Sequence, residues 1–268
     1  LQLALNARNL AIAQELGHDI MTPCASAQGI LYESLKTFRE DPIALAKANS
    51  VISKTSDIEL DAEEISTHHL LHVLVDEIGL DKINDLVKNP IGMKVACYYG
   101  PNMQREGCCS GDDPFMPTYM EQLIEALGGT PIQYDSRCSS VGTPALLSLE
   151  KSALRMTADV LSDAITNGAD LLVTACTLSH QNLDSYQTKA GKVTGKNTSI
   201  PIVHLTEILA FVLGGLMEEN LRRSLLLSNG SWEFLWDRTL TVCILVTTIL
   251  IVVWHIYKTV IKIGRAHV

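Results

Sequence analysis

Apolar positions recur at helical spacing over residues 1–17, at Leu3, Ala7, Leu10, Ala13 and Leu16, and Gly17 stands where such a helix would end. His18 to Thr22 then reads as a short strand, and Pro23-Cys24 opens a loop or the next helix. Ser34 to Asn49 is amphipathic and helical, while Val51 to Glu64 is polar and less regular. The run from Ser66 to Val75 reads as the start of a helix closed by Gly79, and Asp81 to Val87 as a short helix broken by Pro90. Lys94 to Tyr99 is β-rich and bounded by Gly100-Pro101, which predicts a strand followed by a long loop to Pro117. A helix over Thr118 to Leu127, a strand over Pro131 to Tyr134, a long helix over Leu147 to Asn167 and a strand over Asp170 to Thr174 complete the pattern. Strands that alternate with helices in this way predict an α/β fold built on mainly parallel sheets.

The pattern also repeats. Residues 7–27 read as helix, Gly, Asp, strand, Thr-Pro-Cys-x-x-Ala, and residues 157–179 as helix, Gly, Ala-Asp, strand, Thr-Ala-Cys-x-x-Ser. Downstream of each lies a related segment, His69 to Leu74 and His204 to Leu209. Self-similarity on this scale predicts a duplicated domain. Ligands of open parallel sheets sit at the carboxyl ends of the strands, where Cys24, Cys138 and Cys176 are expected.

Composition narrows the classes. A net charge of −9 argues against a nucleic-acid partner, which would call for a basic face. Seven cysteines, an odd number in a chain of this size, read as cytoplasmic thiols or metal ligands and not as a disulfide framework. The chain opens at Leu1 inside the first helical pattern, which is read as an N-terminally truncated first domain. Residues 240–257 are apolar over close to the ~20 residues that span a bilayer, with Trp232, Trp236, Trp254 and Tyr257 near the ends. A C-terminal transmembrane helix is therefore expected, with a buried core helix as the alternative.

Thr22-Pro-Cys24, Tyr98-Tyr-Gly100, Asp112-Asp-Pro-x-x-Pro117, Leu154 to Asp159, Gly168-Ala-Asp170, Cys176-x-x-x-His180 and His204-Leu-Thr-Glu form an ordered series. Taken together it resembles the B-type subunit of heterodisulfide reductase and its relatives, built from two cysteine-rich "CCG" domains. The resemblance implies a first CCG-type domain over residues 1–90 and a second over 91–212. It also implies electron transfer to or from a thiol/disulfide substrate through a 4Fe–4S-type iron–sulfur cluster held by C…CC…C-x-x-C cysteines. Thiolates suit such clusters because soft, anionic sulfur donates strongly to iron. Further implied are partner subunits of the same complex that carry iron–sulfur or flavin groups, and a cytoplasmic location for the globular part.

The cysteine pattern is degenerate. Pro101 follows Tyr98-Tyr-Gly100, Ser139 follows Cys138, and Ala27 and Ser179 complete the two C-x-x-C positions. Cys24, Cys138 and Cys176 remain as implied cofactor-binding residues, with Cys138 and Cys176 as the metal ligands of the second domain. Cys97, Cys108 and Cys109 are candidate substitutes; the alternative makes Cys97 a buried core residue and the other two surface thiols. His68, His69 and His72 form a weaker metal candidate. With ligands lost, a non-catalytic docking subunit is the alternative to a redox subunit.

Residues 213–262 resemble something else, the C-terminal end of the large permease subunit of tripartite tricarboxylate transporters, and residues 263–268 read as non-native read-through of a sequencing adapter. Together they suggest a chimera, with contact to a membrane only through the span at 240–257.

Overall fold

The chain begins with α1 (Gln2–Glu15) and β1 (Ile20–Thr22), the helix and strand that its apolar spacing predicts. In this computed structural model residues 2–108 and 111–214 are described. Cys109, the expected span at 240–257 and the permease-like tail beyond Gly214 lie outside the described residues. Among the described residues no helix is long and apolar enough to cross a membrane.

The expected helix over Ser34 to Asn49 is two helices, α2 (Ala25–Glu40) and α3 (Pro42–Ile52). Asp41 divides them. Its side chain accepts hydrogen bonds from the Ile43 and Ala44 backbone N–H groups at 2.9 and 3.2 Å, and Pro42 takes the first helical position, where its missing N–H costs nothing. Asp41→Ala is expected to cost about 1 kcal/mol, measured as a lower urea midpoint.

The expected helix over residues 66–75 begins instead as a strand. β2 (Thr67–His69) pairs in parallel with β1, Thr22 facing His69, and helical structure starts only at α4 (Leu70–His72), continuing in a wider turn over Val73–Ile78. Periodicity could not show this, because the backbone of Thr67–His69 is recruited by a strand far away in sequence. After α5 (Leu80–Asp85) comes β3 (Lys94–Tyr98), the centre of a second sheet. It is followed by α6 (Gly100–Met103), a loop, α7 (Tyr119–Ala126) and β4 (Thr130–Ile132). The long α8 (Glu150–Thr166), β5 (Leu171–Thr174), α9 (Thr177–Thr194), β6 (Ile202–His204) and α10 (Leu205–Val212) complete the unit.

The first sheet has strand order β1-β2 and the second β4-β3-β5-β6, and every pairing is parallel. The chain is thus α/β with parallel sheets. β5 is buried at every position, as a central parallel strand covered on both faces must be. Two apolar clusters keep to one part of the chain each: Leu10, Leu35, Phe38 and Ile52 in the first, Ala96, Tyr98, Leu161 and Leu172 in the second. A third draws on both parts, uniting Cys24, Leu71 and Leu74 with Val95, Leu123, Val173, Cys176 and Leu205. Burying each of its leucines stabilises the fold by about 1.5–3 kcal/mol. This shared core seats the carboxyl end of β1 against that of β5.

Candidate thiol site between the repeats

The two repeated segments have matching local structure. Gly17 and Gly168 both take positive φ (69° and 86°), a conformation nearly closed to other residues, and turn the chain from helix into strand. Thr22 and Thr174 end the strands, and two residues later Cys24 and Cys176 occupy the N-cap positions of α2 and α9. Their backbones agree closely, at φ −125°, ψ 116° and φ −134°, ψ 116°. The neighbouring strands end in His69 and His204, which cap α4 and α10 through ring Nδ1, accepting from Leu71 N at 3.2 Å and Thr206 N at 3.3 Å.

These halves meet face to face. Ala25 N–H donates to the Ala175 carbonyl (3.1 Å), and His69 Nε2 lies 3.1 Å from the same oxygen. The His204 ring faces the Pro23 carbonyl, although its Nε2 reaches no hydrogen-bond partner. Cys24 Sγ lies 2.9 Å from Thr177 Oγ1, and Cys176 Sγ lies 3.2 Å from Ser26 Oγ. Each sulfur therefore touches the residue beside or near the other cysteine. Cys24 and Cys176, read from the sequence as equivalent residues of two separate sites, are brought into one neighbourhood.

The electrostatics follow from that contact. A hydrogen bond with Cys24 draws the Cys176 thiol well below its ordinary pKa; burial opposes the shift, while Ser26 and Ser179 support it. The same hydrogen bond, reinforced by burial, pushes Cys24 up. The N–H groups of Ala27 and Ser179 point toward the two sulfurs, in contacts too loose to be side-chain caps. Asn102, which sequence reasoning missed, donates to Ser26 Oγ at 2.8 Å and approaches Cys176 Sγ at 3.9 Å. Its place on α6, after a strand whose end it shares with the site, was its only signal.

Cys97 is fully buried in β3, and burial pushes its thiol well up. Cys108 is also buried, its Sγ 3.4 Å from the Ala25 carbonyl, which corrects its reading as a surface thiol. Cys138 ends a single helical turn over Asp135–Cys138 after β4 and is half-buried at the rim of the shared core. Asp163 fixes that turn by accepting from Ser136 N (2.9 Å) and Ser136 Oγ (2.6 Å). Tyr98 donates to the Ser139 carbonyl at 2.7 Å, and Gly100, at φ +63°, leaves room for it: a Cβ there would stand 2.8 Å from the Tyr98 oxygen. His68, His69 and His72 do not share a helical face. They line a cleft of about 570 Å³ with Arg39, Asp76 and Glu106. Asp112 and Asp113 organise the loop before α7, Asp112 accepting from Thr118 N (2.9 Å) and Tyr119 N (3.1 Å).

The donor set decides how an iron–sulfur cluster would fit. Among the described residues, Cys176 is met by the Cys24 thiol and the hydroxyls of Ser26 and Ser179, and Cys24 by the hydroxyl of Thr177. Pro101 is exposed and has no donor side chain, and Ser139 is exposed on the surface. Among the described residues no group of three or more His, Cys, Asp or Glu side chains is placed to hold a metal ion. These residues do not fit the cluster that the CCG pattern implies.

No protein-family model matches the chain. It is 29% identical over 214 residues to the 8-methylmenaquinol:fumarate reductase membrane anchor subunit of Wolinella succinogenes, covering 79% of this chain and 73% of that one. It is 26% identical over 219 residues to the B-type subunit of the ferredoxin/F(420)H(2)-dependent CoB-CoM heterodisulfide reductase of Methanosarcina acetivorans, covering 79% and 71%. It is 29% identical over 217 residues to a protein of Archaeoglobus profundus that is itself described as like the B-type subunit of heterodisulfide reductase, covering 79% and 72%. A crystal structure of a hypothetical protein from Helicobacter pylori shares the fold, with a TM-score of 0.59 at 16% identity over 79% of this chain and 38% of that one. None of these relatives supports the resemblance of residues 213–262 to a transporter permease. Over about four fifths of its length, the chain is similar to the B-type subunit of heterodisulfide reductase.

Proposed function

We propose that this chain is a heterodisulfide-reductase-like electron-transfer subunit, working at a site that exchanges electrons with a thiol or disulfide. The observation that carries this reading is the meeting of Cys24 and Cys176 at the carboxyl ends of two parallel sheets, the position where open α/β sheets place their ligands. We read residues 1–90 and 91–212 as two CCG-type domains, with the site between them. The partners in this role are the other subunits of a reductase complex, and the compartment is the cytoplasm, where thiols stay reduced.

The substituted cysteine positions favour a second reading, a docking subunit that has kept the fold and lost the chemistry. Reduction of a small disulfide by the anaerobically purified chain, with a reduced viologen dye as donor, separates the two. The redox reading expects a rate at least tenfold above that of the dye alone. A rate equal to the dye alone overturns it in favour of docking.

A further inference from the structure

We propose that the redox group of this chain is the Cys24–Cys176 pair itself, cycling between two thiols and one disulfide. The inference rests on the reading of the chain as a thiol/disulfide redox subunit and specifies what carries its electrons.

Three observations support it. The first is placement: both cysteines start helices at the ends of β1 and β5, and the Ala25–Ala175 backbone hydrogen bond ties these two corners together. The second is that each sulfur already contacts the other cysteine's surroundings, Thr177 for Cys24 and Ser26 for Cys176. The third is the donor set, which among the described residues offers two thiols and several hydroxyls where a cluster would need more thiolates. Two facing thiols are a complete two-electron couple without any of the lost ligands.

Exposure assigns the roles. Cys24 is 9% exposed and Cys176 is not exposed at all, so an external sulfur meets Cys24. Starting from the disulfide, a substrate thiolate attacks Cys24 Sγ. The Cys24–Cys176 bond breaks, its electron pair leaves on Cys176 Sγ, and the substrate is held on Cys24 as a mixed disulfide. The thiolate of a second substrate molecule then attacks the substrate sulfur, and Cys24 departs as the leaving group. Two substrate thiols have become one disulfide, and the protein pair has gained two electrons; the protons released pass to the pair and to solvent. The reverse sequence reduces a substrate disulfide and leaves the pair oxidised. Ser26 and Asn102 are positioning residues that hold Cys176 through its sulfur.

The full chain can be equilibrated with reduced and oxidised glutathione at stepped ratios, quenched in acid, unfolded, alkylated with N-ethylmaleimide and mapped by mass spectrometry. Labelling of Cys24 and Cys176 is expected to fall together by at least tenfold as the buffer becomes oxidising, with a Cys24–Cys176 cross-linked peptide appearing and Cys97 labelling unchanged. With oxidised glutathione, Cys176→Ser is expected to accumulate the glutathione adduct on Cys24, and Cys24→Ser to form no adduct on Cys176. Wild-type protein gives the first result without any variant. If both cysteines stay labelled at every ratio while the anaerobically purified chain holds stoichiometric iron and acid-labile sulfide, the pair is overturned and the redox-subunit reading stands on a cluster. If both stay labelled in iron-free protein, the pair and the redox reading fall together.

Discussion

Arg137→Met is expected to destabilise the protein by about 3–5 kcal/mol, the effect of stranding a buried charge. Arg137 Nη1 donates to Glu121 Oε1 at 2.8 Å, and the two side chains are only 12% and 8% exposed. Tyr99 donates from its hydroxyl to the other carboxylate oxygen and accepts from Met120 N–H at 2.8 Å, so the carboxylate lies inside a closed network. Burial pushes the Glu121 carboxyl up, and Tyr99 and Arg137 oppose it. Without the guanidinium, Glu121 must stay charged and unpaired or take up a proton, and both destabilise the fold. Adding Glu121→Gln to Arg137→Met removes the stranded charge and is expected to recover about 0.5–3 kcal/mol, the usual range for directly coupled residues. Urea unfolding of the wild type, both single variants and the double variant measures this. A double variant no more stable than Arg137→Met would place the loss in packing instead of charge. The network also bears on the site, because Tyr99 N–H donates to the Arg137 carbonyl (2.9 Å) and so holds the turn that carries Cys138.

The second large effect is acid sensitivity through His69. Neutral His69 is fully used: Nδ1 accepts from Leu71 N–H, and the Nε2–H tautomer donates to the Ala175 carbonyl across the site. The residue is 1% exposed, and burial lowers its pKa from 6.5 to about 4. A lowered pKa means that the folded protein refuses a proton that the unfolded chain accepts. His69 is therefore neutral in both states above about pH 6.5, and its contribution is fully present there. It is lost as pH falls from about 6.5 to about 4, a loss of roughly 3 kcal/mol. His204 is shifted down for the same leading reason and acts in the same direction. Urea midpoints compared between pH 7.5 and pH 4.5 are expected to drop less in His69→Asn than in the wild type; carboxylates that titrate in acid cancel in that comparison. Equal drops would show that His69 is not the acid-sensitive group.

Much of the architecture was legible in the sequence. The alternation of apolar runs placed α1, α7, α8, β3 and β5 close to their observed bounds, because each buries a face whose period matches its own backbone. The local repeat was legible too, since Thr22-Pro-Cys24 and Thr174-Ala-Cys176 take the same strand-to-helix turn. Elements that owe their form to distant partners were not. Thr67–His69 is a strand only because β1 lies beside it, and the break at Asp41 rests on a side-chain cap that periodicity does not register.

The site divides along the same line. Residue type, local turn and helix-start position of Cys24 and Cys176 follow from short-range sequence, because strand end and N-cap are set within a few residues. That the two cysteines are neighbours, that Ser26 and Asn102 stand beside Cys176, and that Cys97 and Cys108 are buried came from packing the two halves on a shared apolar cluster. Contacts across some 150 residues arise from burial of nonlocal surface, and no local pattern encodes which buried faces meet.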